Sequence, residues 1–198
     1  MRDLLFVNGC VRGKASRTLE LCESFLSVWQ KKNPDWTVTR LDLETVRPQP
    51  LYGADVERRG ALERTWEFSA REFDLARQFV AADKLMLAAP FWELSFPAAL
   101  KLYLEQVSVT NLAFRYDETG ACVGLCRADD LLFVTTRGGV YAGTEVECGW
   151  RQIVGLCEMY GVKDPVLLEA EGLDDVTNDL SALLADAKRR AAALAEIF

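Results

Sequence analysis

The chain has 198 residues, half of them hydrophobic and 27% charged, a composition that fits one folded domain over residues 1–198 and disfavours disorder. Asp and Glu number 30 against 23 Lys and Arg, a formal net charge of −7 with no basic stripe to offset it, which disfavours nucleic-acid binding. Histidine is absent. That removes Ser-His-Asp and Cys-His catalysis and nearly every zinc or non-haem iron site, so no metal is expected.

In chain order, short apolar runs alternate with segments of helical period. Leu4–Asn8 reads as a strand buried on both faces. A helix runs from Ser16 to the Asn33-Pro34 stop, with Leu19, Cys22, Phe25, Leu26 and Trp29 on one face. Trp36–Leu43 alternates as a second strand. A proline-containing connection leads to a long helix predicted from Val56 to Ala82. Lys84–Ala89 is the third strand, Pro97–Val109 a helix with proline in its first turn, and Phe114–Val123 a hairpin turning on Asp117–Gly120. Leu131–Thr135 is the fourth strand and Glu145–Tyr160 a helix closed by Gly161. Val166–Glu169 is the fifth strand, and Asp174–Ile197 a terminal amphipathic helix.

Such alternation argues for an α/β fold, a doubly wound five-stranded parallel sheet with helices on both faces. Ligands in these sheets bind beyond the carboxyl ends of the strands, where the strand order reverses. The loops after strands one, three and four are therefore the ones that carry function.

The first of these loops, GCVRGKASRT, joins Ser16, Arg17 and Thr18 at a helix N-terminus, the parts of a phosphate site. Its bland alternative is an N-cap serine beside solvated bases. It is not a Walker A loop, since only three residues separate its glycines and Ala15 stands at the magnesium-binding hydroxyl. Cys10 and Arg17 imitate a thiol-phosphatase loop with one residue too many between them. The second loop crowds Pro90, Phe91, Trp92, Glu93 and Leu94 beyond a strand end, which suits a flat aromatic ligand or the packing of the next helix. In the third, Thr136, Arg137, Gly138 and Gly139 offer close backbone approach and free amides. A mononucleotide with a flat ring, such as FMN, satisfies all three.

Six cysteines (Cys10, Cys22, Cys122, Cys126, Cys148 and Cys157) include no C-x-x-C pair and read as free thiols. The N-terminus reads as a strand rather than a signal peptide, and no window approaches ~18 uninterrupted apolar residues, so no membrane span is expected and cytoplasm is the expected compartment.

AAPFWELSFPAALKLYLEQV, NLAFRYDETG, VGL and TTRGGVY, in that order, resemble the FMN-dependent NADH-azoreductase and NAD(P)H quinone reductase family. The resemblance spans the chain in element order and is strongest from Lys84 to Tyr141. It implies a flavodoxin-like fold and a homodimer with active sites at the interface. It also implies two-electron, ping-pong transfer from NADH or NADPH to quinones or azo compounds, carried by the cofactor rather than by a catalytic side chain. Carried onto this chain, Cys10, Ser16, Arg17 and Thr18 would hold the FMN phosphate. Pro90 to Leu94 would line one side of the ring and Thr136 to Gly139 its pyrimidine end, with Tyr116 and Tyr141 as walls for an aromatic acceptor. Three positions depart from the family pattern: Cys10 replaces serine, Glu93 asparagine and Leu94 phenylalanine. An FMN-binding electron carrier or sensor is the alternative from another class, and a phosphatase using Cys10 and Arg17 a further one.

Overall fold

The computed structural model describes residues 2–198. Its strands are β1 (Arg2–Asn8), β2 (Trp36–Asp42), β3 (Lys84–Ala88), β4 (Phe114–Tyr116), β5 (Cys122–Gly124), β6 (Asp130–Thr136) and β7 (Asp164–Ala170). Its helices are α1 (Arg17–Lys32), α2 (Leu43–Val46), α3 (Gly53–Arg64), α4 (Asp74–Ala81), α5 (Ala98–Val107), α6 (Cys148–Tyr160) and α7 (Leu180–Ala195). Five strands pair in parallel in the order β2-β1-β3-β6-β7, while β4 and β5 form the antiparallel hairpin expected near Phe114. This is the flavodoxin-like strand order, whose direction reverses between β1 and β3.

Successive residues on each central strand serve opposite cores, as the two-residue period of a strand requires. Leu5, Val7, Leu85, Leu87, Leu131 and Phe133 face one, where Phe79 of α4, Tyr103 of α5 and Tyr160 of α6 pack edge to face. Leu4, Phe6, Met86, Leu132 and Val134 face the other, covered by α1 and α7. Ala187, Ala191 and Ala195 of α7 repeat every fourth residue, a smooth ridge against which Leu21, Cys22, Phe25 and Trp29 of α1 are fully buried. Neither face is left to water. The helices thus cover the sheet and leave the carboxyl ends of β1, β3 and β6 open to ligands.

Two helices depart most from the sequence reading, while α6 starts at Cys148 rather than Glu145 because Glu147 caps it. The predicted helix Val56–Ala82 is two helices, α3 and α4, with a single 3-10 turn at Arg71–Phe73 before the second. Trp66 takes φ 59°, Trp66 N donates to Glu63 O at 3.2 Å and Glu67 N to Leu62 O at 2.9 Å, a Schellman stop in which tryptophan occupies the position that glycine usually takes. The terminal helix begins at Leu180 rather than Asp174, because the Asp179 side chain accepts from Ala182 N at 3.0 Å and caps it there. Asp174 therefore lies in a loop that reaches back over the sheet. Among the described residues, no helix is long and apolar enough to cross a membrane.

Candidate functional site

A crevice opens at the carboxyl ends of β1, β3 and β6, lined by Arg12, Ser16, Arg17, Pro90, Phe91, Trp92, Thr136, Arg137, Gly138, Leu173 and Asp174. Its floor is tied together by backbone bonds. Phe91 N donates to Thr136 O at 3.0 Å, Ala89 N to Val134 O at 3.1 Å and Asp174 N to Gly138 O at 3.0 Å. The loops that the sequence separates are therefore one continuous surface.

At the inner end, Ser16 caps α1 by accepting from Leu19 N at 3.2 Å, which leaves the other first-turn amides of a 16-residue helix pointing outward. Arg17 spans the crevice: its Nη1 donates to Leu173 O at 3.2 Å and Asp174 Oδ1 at 2.7 Å. None of its hydrogen bonds uses the Nε–Nη2 edge, the fork that matches a phosphate. Thr18 is fully buried, its hydroxyl 2.6 Å from that of Thr136, so this pair ties α1 to the end of β6, where Thr136 borders the crevice. Cys10 is likewise buried, beside a separate depression lined by Asn8, Arg40 and Asp42. Burial pushes its thiol up to about 11, so it is neutral at physiological pH and no nucleophile. A buried, neutral thiol argues against the phosphatase alternative, and the Cys10 side chain lines a depression that adjoins the crevice at Arg12.

The outer end is lined by Phe91, Glu93, Leu94, Gly138, Gly139, Tyr141 and Asp174. Glu93 and Leu94 take φ 50° and 61° at the tip of a turn closed by Trp92 N to Ser95 O at 3.2 Å and Ser95 N to Trp92 O at 2.8 Å. Two consecutive left-handed residues make a type I′ turn, normally built from asparagine and glycine. Here it costs about 1–2 kcal/mol per residue, and the outcome is that Trp92, Glu93 and Leu94 stand exposed at the mouth. The Tyr141 ring lies 4.8 Å from that of Phe91, at 38°. Gly138 passes so close beneath the Asp174 carboxylate that a Cβ there would collide with it. Tyr116 lies elsewhere, exposed on the hairpin against Phe114, and does not line this crevice.

Arg137 is the largest departure from expectation. Its side chain is 0% exposed and is ion-paired with Glu147 at 3.1 Å, Glu169 at 2.9 Å and Glu171 at 2.8 Å. Its guanidinium sits 5.2 Å from the centre of the Phe91 ring, on which Tyr141 also packs. Glu171 accepts in addition from Tyr141 N at 2.8 Å and Ala142 N at 2.9 Å, so one carboxylate fixes both Arg137 and the loop that carries Tyr141. Burial works to raise Glu171, but those two amides and Arg137 outweigh it and hold the carboxyl below the usual range. Glu169, by contrast, is pushed upward, chiefly by burial and against the pull of Arg137. Its Oε2 and Arg137 Nε are both buried without a hydrogen bond. Arg137 borders the crevice, but its guanidinium is buried and supports the aromatic wall from behind.

Sequence reasoning missed Asp174 and the three glutamates. Asp174 had been assigned to a helix, and only the parallel pairing of Thr135 with Glu169 and Thr136 with Ala170 brings Glu169 and Glu171 beside Arg137.

Comparison with known proteins agrees with this fold. The profile of the Flavodoxin_2 family, described as a flavodoxin-like fold, matches residues 2–195. The FMN-dependent NADH:quinone oxidoreductase of Clostridium beijerinckii is 32% identical over 200 residues, covering all of both chains. An azoreductase structure from Bacillus anthracis str. Sterne superposes with a TM-score of 0.90 over both full chains at 23% identity. A FMN-dependent NADH-azoreductase of Bacillus anthracis str. Ames Ancestor, solved with FMN, superposes at 0.86 over 99% of this chain and 98% of that one, at 19% identity. The last two similarities speak for the fold.

Proposed function

The chain belongs to the flavodoxin-like family of FMN-dependent NADH:quinone oxidoreductases, and we propose that it binds FMN in the crevice and passes two electrons by a ping-pong mechanism from NADH or NADPH to quinones or azo compounds. The observation that carries this reading is the union, in one crevice, of a capped helix N-terminus flanked by Arg12 and Arg17 with an exposed wall of Phe91, Trp92, Leu94 and Tyr141. An anion and a flat ring are both provided for, within reach of each other.

The residues fit FMN. Its phosphate would be held by the α1 amides, Ser16, Arg12 and the free edge of Arg17, and its ring by Pro90 to Leu94, which leaves Tyr141 to face an acceptor. Gly138 and Gly139 supply a wall without side chains, and the collision that a Cβ at Gly138 would make with Asp174 shows how closely the two segments approach. When bound, FMN supplies the two-electron chemistry, which is why a chain without histidine can act as an oxidoreductase. The protein's own part is to position and to exclude water. Thr18 and Thr136 lock the helix that meets the phosphate to the strand that meets the ring. Arg137 and Glu171 lock Phe91 and Tyr141, so the aromatic wall is in place before any substrate arrives.

A homodimer and a cytoplasmic setting belong to the same reading. Exposed Tyr52, Val56 and Trp66 of the α3 region give a second copy apolar surface to cover, and Tyr116 on the hairpin is available to that copy's crevice. The free cysteines suit a reducing compartment.

The test is an absorption spectrum of protein incubated with FMN and desalted. Retained flavin bands that bleach on anaerobic addition of NADH or NADPH, and return with a quinone, are expected. Retained bands that do not bleach would favour a carrier or sensor, and no retained flavin would sink the proposal.

A further inference from the structure

The crevice is electrically lopsided. Arg12, Arg17 and the α1 N-terminus gather positive charge at its inner end. The outer end, beside Phe91, Leu94 and Tyr141, is lined by Glu93 and Asp174 and by no lysine or arginine. Asp174 gives one oxygen to Arg17. Glu93, lifted to the mouth by its left-handed backbone, makes no ion pair or hydrogen bond with any described residue, so its charge is uncompensated. Beneath the same wall lie Glu147, Glu169 and Glu171, paired with the guanidinium of Arg137, while Arg190 of α7 also acts on Glu169. The whole chain's net charge of −7 is of the same sign.

We infer that the outer end of the crevice selects neutral and cationic flat aromatic acceptors and rejects anionic ones, with Glu93 the specificity-determining residue. Aromatic faces attract a ring of either charge, and an organic cation gains further from their negative quadrupoles. The carboxylates then divide the ligands. A cation beside Glu93 is drawn in, while a sulfonate or carboxylate of the same shape must lose part of its hydration beside an unpaired like charge. The inference rests on the functional reading above and refines it to a substrate class.

The test uses FMN-loaded protein and two redox-inert probes of one shape, a naphthyl trimethylammonium ion and a naphthalene sulfonate, with binding followed by calorimetry. The cation is expected to bind about tenfold more tightly at low ionic strength, and the gap to shrink to about twofold in molar salt. In Glu93→Gln the low-salt ratio falls to about threefold. The ratio of kcat/KM for an ammonium-bearing over a sulfonate-bearing quinone falls by the same factor between wild type and variant, a comparison in which the quinones' intrinsic reactivities cancel. Equal ratios in wild type and Glu93→Gln, or tighter binding of the sulfonate, would overturn the inference while the flavoenzyme reading stands. Protein that retained no FMN would overturn that reading, and this one with it.

Discussion

Arg137→Met is the substitution that tests most of this architecture at once. Methionine keeps much of the buried volume and removes the charge, leaving Glu147, Glu169 and Glu171 without their shared cation. Their side chains are only 6%, 23% and 16% exposed, so water offers little relief. Removing one partner from a buried ion pair typically costs about 3–5 kcal/mol, a large part of the roughly 5–15 kcal/mol that holds a domain folded. The loss should depend on pH with a definite sign. In the wild type, Glu171 is held below the usual carboxylate range, so its contribution is fully present above its unfolded value and lost as pH falls through the folded one. Glu169 behaves oppositely: raised by burial, it opposes folding above its unfolded value and ceases to as it takes a proton. Without Arg137, Glu169 and Glu171 lose the positive charge that pulls them downward. The deficit of the variant is then largest near pH 7–8 and shrinks as pH falls toward 5, where the carboxyls begin to protonate. Urea unfolding of both proteins, followed by far-UV circular dichroism across that range, measures this directly. A deficit under about 1 kcal/mol at pH 7, or one that ignores pH, would refute the view of Arg137 as the buried counter-charge.

Other expectations follow from single contacts. Cys10→Ser should leave flavin retention intact, and iodoacetamide at pH 8 should label Cys122 and Cys148, both exposed, well before Cys10, whose thiol at about 11 leaves only about one molecule in a thousand ionised. Mass spectrometry of the peptides decides. Ser16→Ala removes the α1 cap and should cost about 1 kcal/mol in urea unfolding as well as weakening FMN retention. Leu94→Gly should be more stable than Leu94→Ala by about 1 kcal/mol, since both lose the same apolar contacts and only alanine must still hold φ near 61°. Equal stabilities would show that the turn relaxes without cost.

The fold was legible because its signals are local and repeated. Runs such as LLFVN and LLFVT cannot be anything but doubly covered strands once helical segments separate them, and the parallel sheet follows. The errors fell where a local rule is broken. Trp66 ends α3 in a conformation that a sequence normally announces with glycine, so the apolar period running on through Phe73 and Val80 read as one helix. The sequence reading starts the terminal helix at Asp174, but Asp179 is the residue whose carboxylate meets the helix amides.

The candidate site divides along the same line. Ser16, Phe91, Trp92, Gly138 and Tyr141 were recognisable because their chemistry depends on where they stand relative to a strand end, which the chain order fixes. Arg137 was not. A charged residue just past a strand is read as facing a ligand, and only the β6–β7 register, which brings Glu169 and Glu171 beside it from more than thirty residues away, turns the guanidinium inward. The consequence reaches the chemistry. An arginine on the surface of the crevice would have stood against the Glu93 charge, whereas a buried arginine paired with three glutamates leaves Glu93 as the unpaired charge at the outer end.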